Sequence, residues 1–381
     1  MALVGGAGAA FIGKVHVTAA TLDRQAELVA GAFSSDPERS REATAAFQVD
    51  PARGYASYSD LIAGESRLPA DKRVDFISIA TPNHTHCAIA KAAIQAGFHV
   101  VCDKPMTTNV AEARELVSLV EQSGVVFALT HNYSGYPMVR QAREIIAAGE
   151  LGEVQAIRSS YLQGWMRGMD PQAKPARGAW KSDPEKAGSG SLGDIGTHAY
   201  HLARFVSGLQ PVAASAHFKS FREDWEMEDY GHVLVRLENN AVALVTFSQV
   251  THGNLNNITL EVDGTKGSLS WHQEEPNTLT IRRFGKPVET YHCHPFADYM
   301  APTARQSCRL AGGHPEGFFE AFANIYQNAF ADMHACYRGE TPDRHNPLYP
   351  NVYDGLEGVR FVETCQRSNA DGNAWQEFCI G

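Results

Sequence analysis

The sequence predicts an α/β chain: a nucleotide-binding domain built on a parallel sheet, then an α+β domain with a large, mostly antiparallel sheet. Three observations carry this. Met1-Ala-Leu-Val4 runs straight into Gly5-Gly-Ala-Gly-Ala-Ala-Phe-Ile-Gly13, a short apolar strand followed by clustered glycines, as a nucleotide-binding βαβ unit begins. Strand and helix signals then alternate over the first ~130 residues, as a parallel sheet requires. Beyond that point short strands follow one another, joined by turns such as Glu238-Asn-Asn240. The division expected is 1–132 and 133–381.

In the glycine loop, Gly6 and Gly8 allow a tight turn and close approach to a pyrophosphate. Ala9, Phe11 and Ile12 open the helix on whose N-terminus that group would sit. Gly13 falls seven residues after Gly6, not five as in the simple form. Residues 27–33 read as a second strand, and Pro37 suits the first turn of the helix after it. A buried strand over 74–80 ends at Thr81-Pro-Asn-His84, and a helix over 86–96 stops at Gly97. Residues 99–102 form the next strand. Asn109 starts a helix with Val110, Ala113, Leu116, Val117 and Val120 on one face and Gly124 past its end. Residues 125–129 add one more strand. Further strands are expected over 154–162, 211–218, 232–237, 241–249, 258–262 and 278–283, with helices over 318–337 and 356–365. The Gly/Pro/Lys-rich segment 168–191 reads as one long loop, a length usually reserved for function.

Composition limits the partners. With 381 residues, 44% hydrophobic and 20% charged, the chain suits two globular domains. A net charge of −10 argues against nucleic acid or an anionic membrane surface as a main partner. No apolar run approaches the ~20 residues of a membrane span, and no signal peptide is visible. Seven scattered cysteines without a CxxC imply free thiols in a reducing cytoplasm.

Several segments together resemble the glucose–fructose oxidoreductase / inositol dehydrogenase / rhizopine-catabolism (Gfo/Idh/MocA) family of NAD(P)-dependent sugar oxidoreductases. They are the Gly5–Gly13 loop, Thr81-Pro-Asn-His-Thr-His86, Cys102-Asp-Lys-Pro105, Gly193-Asp-Ile-Gly-Thr-His198 and Glu261-Val-Asp-Gly-Thr-Lys-Gly-Ser268. The resemblance implies a Rossmann domain, a second domain with an open antiparallel sheet, and a homodimer or homotetramer associated through that sheet. It also implies NAD or NADP as cofactor and a small sugar or polyol as substrate. At the end of strand two, Phe33, Ser34 and Ser35 stand where an acidic residue normally holds the adenosine ribose, with Arg39 a turn later. That permits a 2′-phosphate.

The same resemblance assigns chemistry. Lys104 emerges at the carboxyl edge of the sheet, beside the nicotinamide and a substrate hydroxyl, where its charge favours loss of the hydroxyl proton. Asp194 and His198 are four apart and share a helix face. His198 is the general base and Asp194 orients the substrate, the rival role for Asp194 being a helix cap. His201 is either a substrate contact or a core histidine. Thr81, Pro82, Asn83, His86, Asp103, His131 and Asn132, together with Trp180, are assigned to the cofactor. Tyr133, Tyr136, Gln163, Trp165, His314 and Glu316 are assigned to the substrate cleft, with core packing the alternative for the aromatics. Arg167, Arg177 and Lys181 in the long loop leave a carboxylated substrate open.

The string Asp194, His198, His201 has a metal-like spacing, but Lys104 in the same pocket would repel a cation, so no metal is expected. The reading is a dehydrogenase acting on a secondary alcohol of a cyclic polyol or sugar. Two rivals remain: a glycoside hydrolase using NAD for transient oxidation of a ring carbon, and a non-catalytic redox-cofactor sensor.

Overall fold

The computed structural model describes residues 1–8, 11–169, 179–223, 225–345 and 347–378. The first sheet takes β1 (Ala2–Gly5), β2 (Ala30–Ala32), β3 (Phe76–Ala80), β4 (His99–Cys102) and β5 (Phe127–Leu129) in the order β2-β1-β3-β4-β5. Every pairing in it is parallel. The chain therefore leaves all these strands at one edge, at Gly6, Phe33, Thr81, Asp103 and Thr130. Between the strands run α1 (Phe11–Thr21), α2 (Pro37–Ala46), α3 (Tyr58–Ser66), α4 (His86–Gln95) and α5 (Val110–Ser123). Asn109 caps α5 by accepting from the Glu112 N–H, and Gly124 ends it in the left-handed conformation. β2 is shorter than the 27–33 expected, and Phe33, just past its end, is buried and stacks on Phe47 at 5.1 Å.

The second sheet contains β6 (Val154–Leu162), β7 (Pro211–Lys219), β8 (Tyr230–Leu237), β9 (Val242–Ser248), β10 (Asn257–Gly264), β11 (Ser268–His272), β12 (Thr278–Arg282), β13 (Glu289–His292) and β14 (Gln376–Glu377). Their order is β13-β12-β11-β10-β6-β9-β8-β7-β14, antiparallel throughout except for the parallel β6–β9 pair. One face packs Ile157, Val233, Val245, Phe247, Leu260 and Trp271 against α6 (Pro137–Ala147) and α8 (Thr197–Ser207). The other face exposes Leu234 and Val242 beside the Arg158–Glu261 and Arg158–Asp263 ion pairs. The long loop is not continuous: it holds a 3₁₀ turn over Ala179–Ser182 and a short helix, α7 (Pro184–Ala187). After β13 come α9 (Pro302–Gln306), α10 (Phe318–Tyr337) and α11 (Val352–Ala370).

The chain groups into two units: 1–132 with 322–356, and 133–321 with 357–381. This differs from the sequence division, which left 322–356 in the second domain. The cause lies in side chains far apart in sequence. The Tyr326 hydroxyl bonds His16 Nδ1 at 2.6 Å and Ser78 Oγ at 2.8 Å. Phe330 packs on Phe76 at 5.3 Å, and the Leu129 N–H donates to the Pro350 carbonyl.

Burial leaves a pH signature. His16 and His99 are pushed down to about 4, and His201 to about 3, by burial first of all. These side chains stay neutral in the fold but take up protons below about 6.5 when unfolded. Stability is therefore complete near neutrality and is lost as pH falls toward 4, by about 2 kcal/mol per histidine at pH ~5. Glu228, raised by burial to about 7, acts in the opposite direction: it favours the fold on acidification. Three histidines outweigh one carboxyl, so the melting temperature should fall between pH ~7 and ~5. His16→Gln should make that fall shallower; an unchanged slope in thermal denaturation would contradict the assignment.

Candidate active site

The glycine loop explains its own spacing. Gly6 and Gly8 have φ of +86° and +67°, conformations that favour glycine. A Cβ on Gly13 would lie 2.4 Å from the Gly6 Cα, so Gly13 is the residue that lets α1 pack against the loop. A Cβ on Gly8 would meet nothing within 4 Å among the described residues beyond its chain neighbours. The first turn of α1 carries no acidic side chain. An open glycine bend ahead of a helix without acidic residues in its first turn suits a pyrophosphate.

At the other strand ends, Asp103 Oδ1 accepts the Lys104 N–H at 2.9 Å and the Thr130 hydroxyl at 2.8 Å, fixing the turn that carries Lys104. The Lys104–Pro105 bond is cis. Thr81 accepts a hydrogen bond from Thr85, and Pro82 is extended ahead of the turn holding Asn83. Asn132, after β5, is buried, and its Nδ2 has no hydrogen-bond partner among the described residues. A buried amide donor there, with the glycine cradle, fits a dinucleotide along this edge. Ser34 Oγ accepts the Asp36 N–H, and Ser35 and Arg39 are exposed beside it. Asp36, the nearest carboxylate, is occupied as the cap of α2, accepting from the Glu38 and Arg39 N–H groups.

The second unit holds a polar cluster. Asp194 lies in a π-helical turn, Leu192–Gly196, immediately before α8, and His198 is the second residue of α8. Such single π turns recur at functional sites. Asp194 caps neither helix. Its Oδ1 accepts from Lys181 Nζ at 3.0 Å and its Oδ2 from Gln249 Nε2 at 2.8 Å. The His198 ring lies edge-on to Tyr133 at 4.9 Å and 6.1 Å from Tyr161. Trp165 Nε1 donates to Gln163 Oε1, which sends Gln163 Nε2 toward Asn256 Oδ1 at 2.9 Å. Asn256 Nδ2 donates in turn to the Tyr133 hydroxyl, which meets the Tyr161 hydroxyl at 2.6 Å. Trp180 lies beside this cluster, 5.7 Å from Lys181 Nζ.

Other assignments change. His86 is fully buried with both ring nitrogens on backbone carbonyls, Pro105 at 2.8 Å and Thr81 at 2.9 Å, so it braces two turns and has no ring nitrogen left for a cofactor. The Ile12 side chain packs on the Leu3–Phe33 core, whereas Phe11 is exposed. His201 is a core residue stacked on Phe205 at 5.9 Å, because its face of α8 points away from solvent. His314 sits on an exposed turn with Nδ1 against the Ala311 carbonyl. Glu316 is buried and accepts the Arg309 and Leu310 N–H groups. Tyr136 is buried against Trp271 at 5.4 Å. Ala9 and Arg177 lie outside the described residues. Sequence reasoning missed Gln249 and Asn256; the available signal was an amide at or just beyond the end of a strand.

Residues 2–131 match the model of an oxidoreductase family with an NAD-binding Rossmann fold, and residues 139–270 match the GFO/IDH/MocA C-terminal domain. The oxidoreductase YfiI of Bacillus subtilis (strain 168), itself uncharacterized, is 33% identical over 99% of this chain and 96% of its own. The chain belongs to the GFO/IDH/MocA family. It is an NAD(P)-dependent oxidoreductase. Among solved members, an inositol dehydrogenase homolog from Azotobacter vinelandii complexed with NADH and myo-inositol superposes with a TM-score of 0.91 at 35% identity. The match covers 99% of this chain and 96% of that one. A levoglucosan dehydrogenase complexed with NADH and levoglucosan gives 0.82 at 25% identity, over 99% and 98%. Among the described residues, no helix of this GFO/IDH/MocA protein is long and apolar enough to cross a membrane. No group of three His, Cys, Asp or Glu side chains there could hold a metal ion.

Proposed function

We propose that this chain moves a hydride between NAD(P) and a secondary alcohol of a cyclic polyol or sugar. The observation that carries the proposal is Asp194, held at both oxygens and one helical turn before His198, in a chain so close to a protein solved with NADH and myo-inositol. A nicotinamide bound there would supply the acceptor or donor of the hydride exchanged with the alcohol carbon. Gly6, Gly8 and the start of α1 would hold its pyrophosphate, and Asn132 would offer its amide N–H. Lys104, on a turn fixed by Asp103, lowers the cost of an alkoxide at the substrate oxygen. His198 takes the hydroxyl proton, and Asp194 orients the hydroxyl and balances the charge that results.

The test is a panel of inositols, anhydrosugars and pyranoses with NAD⁺ or NADP⁺, followed by absorbance of the reduced nicotinamide. At least one member should yield reduced cofactor in step with ketone formation. Accepting NADP⁺ would match Ser34 and Ser35 at the end of β2 and the occupied Asp36. Glycoside cleavage without net reduction would replace the dehydrogenase by a hydrolase that recycles its cofactor. No turnover with any member would remove the polyol assignment.

A further inference from the structure

We propose that Gln249 is a positioning residue that holds Asp194 ionised and in one rotamer; this rests on the role given to Asp194 above. Gln249 is 4% exposed and lies just past the end of β9, outside every motif that marks the family in this sequence. Its backbone is tied down at both groups: the N–H donates to the Asp229 carbonyl, and the carbonyl accepts from the Met166 N–H. Its side-chain orientation is determined by chemistry. Asp194 Oδ2 can only accept, so the group 2.8 Å from it must be the amide nitrogen. The amide oxygen then faces Ser191 Oγ, which donates to it at 2.8 Å. Trp165 Nε1, which can only donate, fixes Gln163 so that its oxygen also faces the Gln249 amide, at 3.4 Å.

The consequence is a carboxylate clamped from two sides. Lys181 supplies charge at Oδ1 but is itself a long, quarter-exposed side chain on the loop. Gln249 supplies a neutral donor at Oδ2 from a strand end whose backbone is already fixed, and so determines where the carboxylate points. A hydrogen bond to the charged form favours that form. Among the described residues, titratable groups near Asp194 include His198 on α8, Tyr133, Tyr161 on β6, and Glu228, whose Oε1 accepts the Leu192 N–H of the same π turn.

Gln249→Glu keeps the shape but sets a second carboxyl against Asp194, and Gln249→Leu deletes the donor. The readout is a carbon-13 NMR titration of protein labelled at the aspartate carboxyl, with Asp194 assigned by its absence from Asp194→Asn. In Gln249→Glu the Asp194 midpoint should rise by about one pH unit or more, and in Gln249→Leu by less. With the best polyol of the panel, kcat should fall by roughly tenfold to a hundredfold, and the acidic limb of its pH profile should move with the NMR midpoint. Cofactor affinity should stay within about twofold. Ser191→Ala, which removes only the hydroxyl donor that orients the amide oxygen, should give a smaller loss in the same direction, and it serves if either Gln249 variant fails to fold. An unmoved midpoint and profile in these variants would overturn the proposal, even if turnover fell. If Asp194→Asn itself leaves turnover intact, the catalytic reading fails, while the NMR midpoint still decides whether Gln249 holds the carboxylate.

Discussion

Lys104→Ala and His198→Ala are each expected to lower turnover by roughly 10²–10⁴-fold, the usual worth of a positioned acid–base group. The Lys104 turn should survive truncation, because the substitution leaves in place the bonds from the Lys104 N–H and the Thr130 hydroxyl to Asp103. His198 is less separable, since its ring fills space against Tyr133 and Tyr161. His198→Gln therefore accompanies it: if chemistry and not packing is lost, both variants fall alike while the melting temperature of the glutamine form holds. Asp194→Asn keeps the outline but gives Lys181 no charge to meet, and turnover should fall with a shifted pH profile. Cofactor affinity, measured by fluorescence titration, should change far less than turnover in all four. Near-wild-type turnover in both alanine variants would remove the assigned roles.

The strands and helices most visible in the sequence were those whose signals are local. β4, β6 and α10 have the bounds that pattern alone suggested, because alternating or helical apolar residues and their end signals lie within each segment. β11 was missed although Leu269 and Trp271 alternate inward with period two, since serines occupy the other positions. What pattern could not supply was contact at a distance. Whether Asp194 caps a helix or faces other side chains depends on Lys181 and Gln249, 13 and 55 residues away. His86 resembles a cofactor ligand in its motif, yet its ring is taken by the Pro105 carbonyl, 19 residues on, and by Thr81. The return of 322–356 to the first unit hangs on Tyr326 reaching His16 and Ser78, which no local signal announces. His201 shows the limit of helical spacing as a guide. One turn after His198 on the same helix, it turns to Phe205 in the core, and burial holds it neutral.

Gly8→Asp should abolish binding of NAD(P), and this substitution isolates electrostatics from folding unusually well. The position has φ of +67°, a left-handed conformation that aspartate tolerates better than most residues. A side chain there starts in open space, with no atom of the described residues beyond its chain neighbours within 4 Å of its Cβ. The fold should therefore accept the aspartate at a small cost. The ligand should not, because the carboxylate would stand where the loop and the start of α1 receive a pyrophosphate. Repulsion between like charges at such range is worth several kcal/mol in a partly desolvated cleft, enough for a loss of about a thousandfold or more in affinity. Gly13→Ala is the contrasting variant: its Cβ would press to 2.4 Å from the Gly6 backbone, so it should lower thermal stability as well as binding. Calorimetric titration with NAD⁺ and NADP⁺, beside thermal denaturation, separates the two. Undiminished binding in Gly8→Asp would place the cofactor away from this loop, whereas lost binding at an unchanged melting temperature is the result that charge alone predicts.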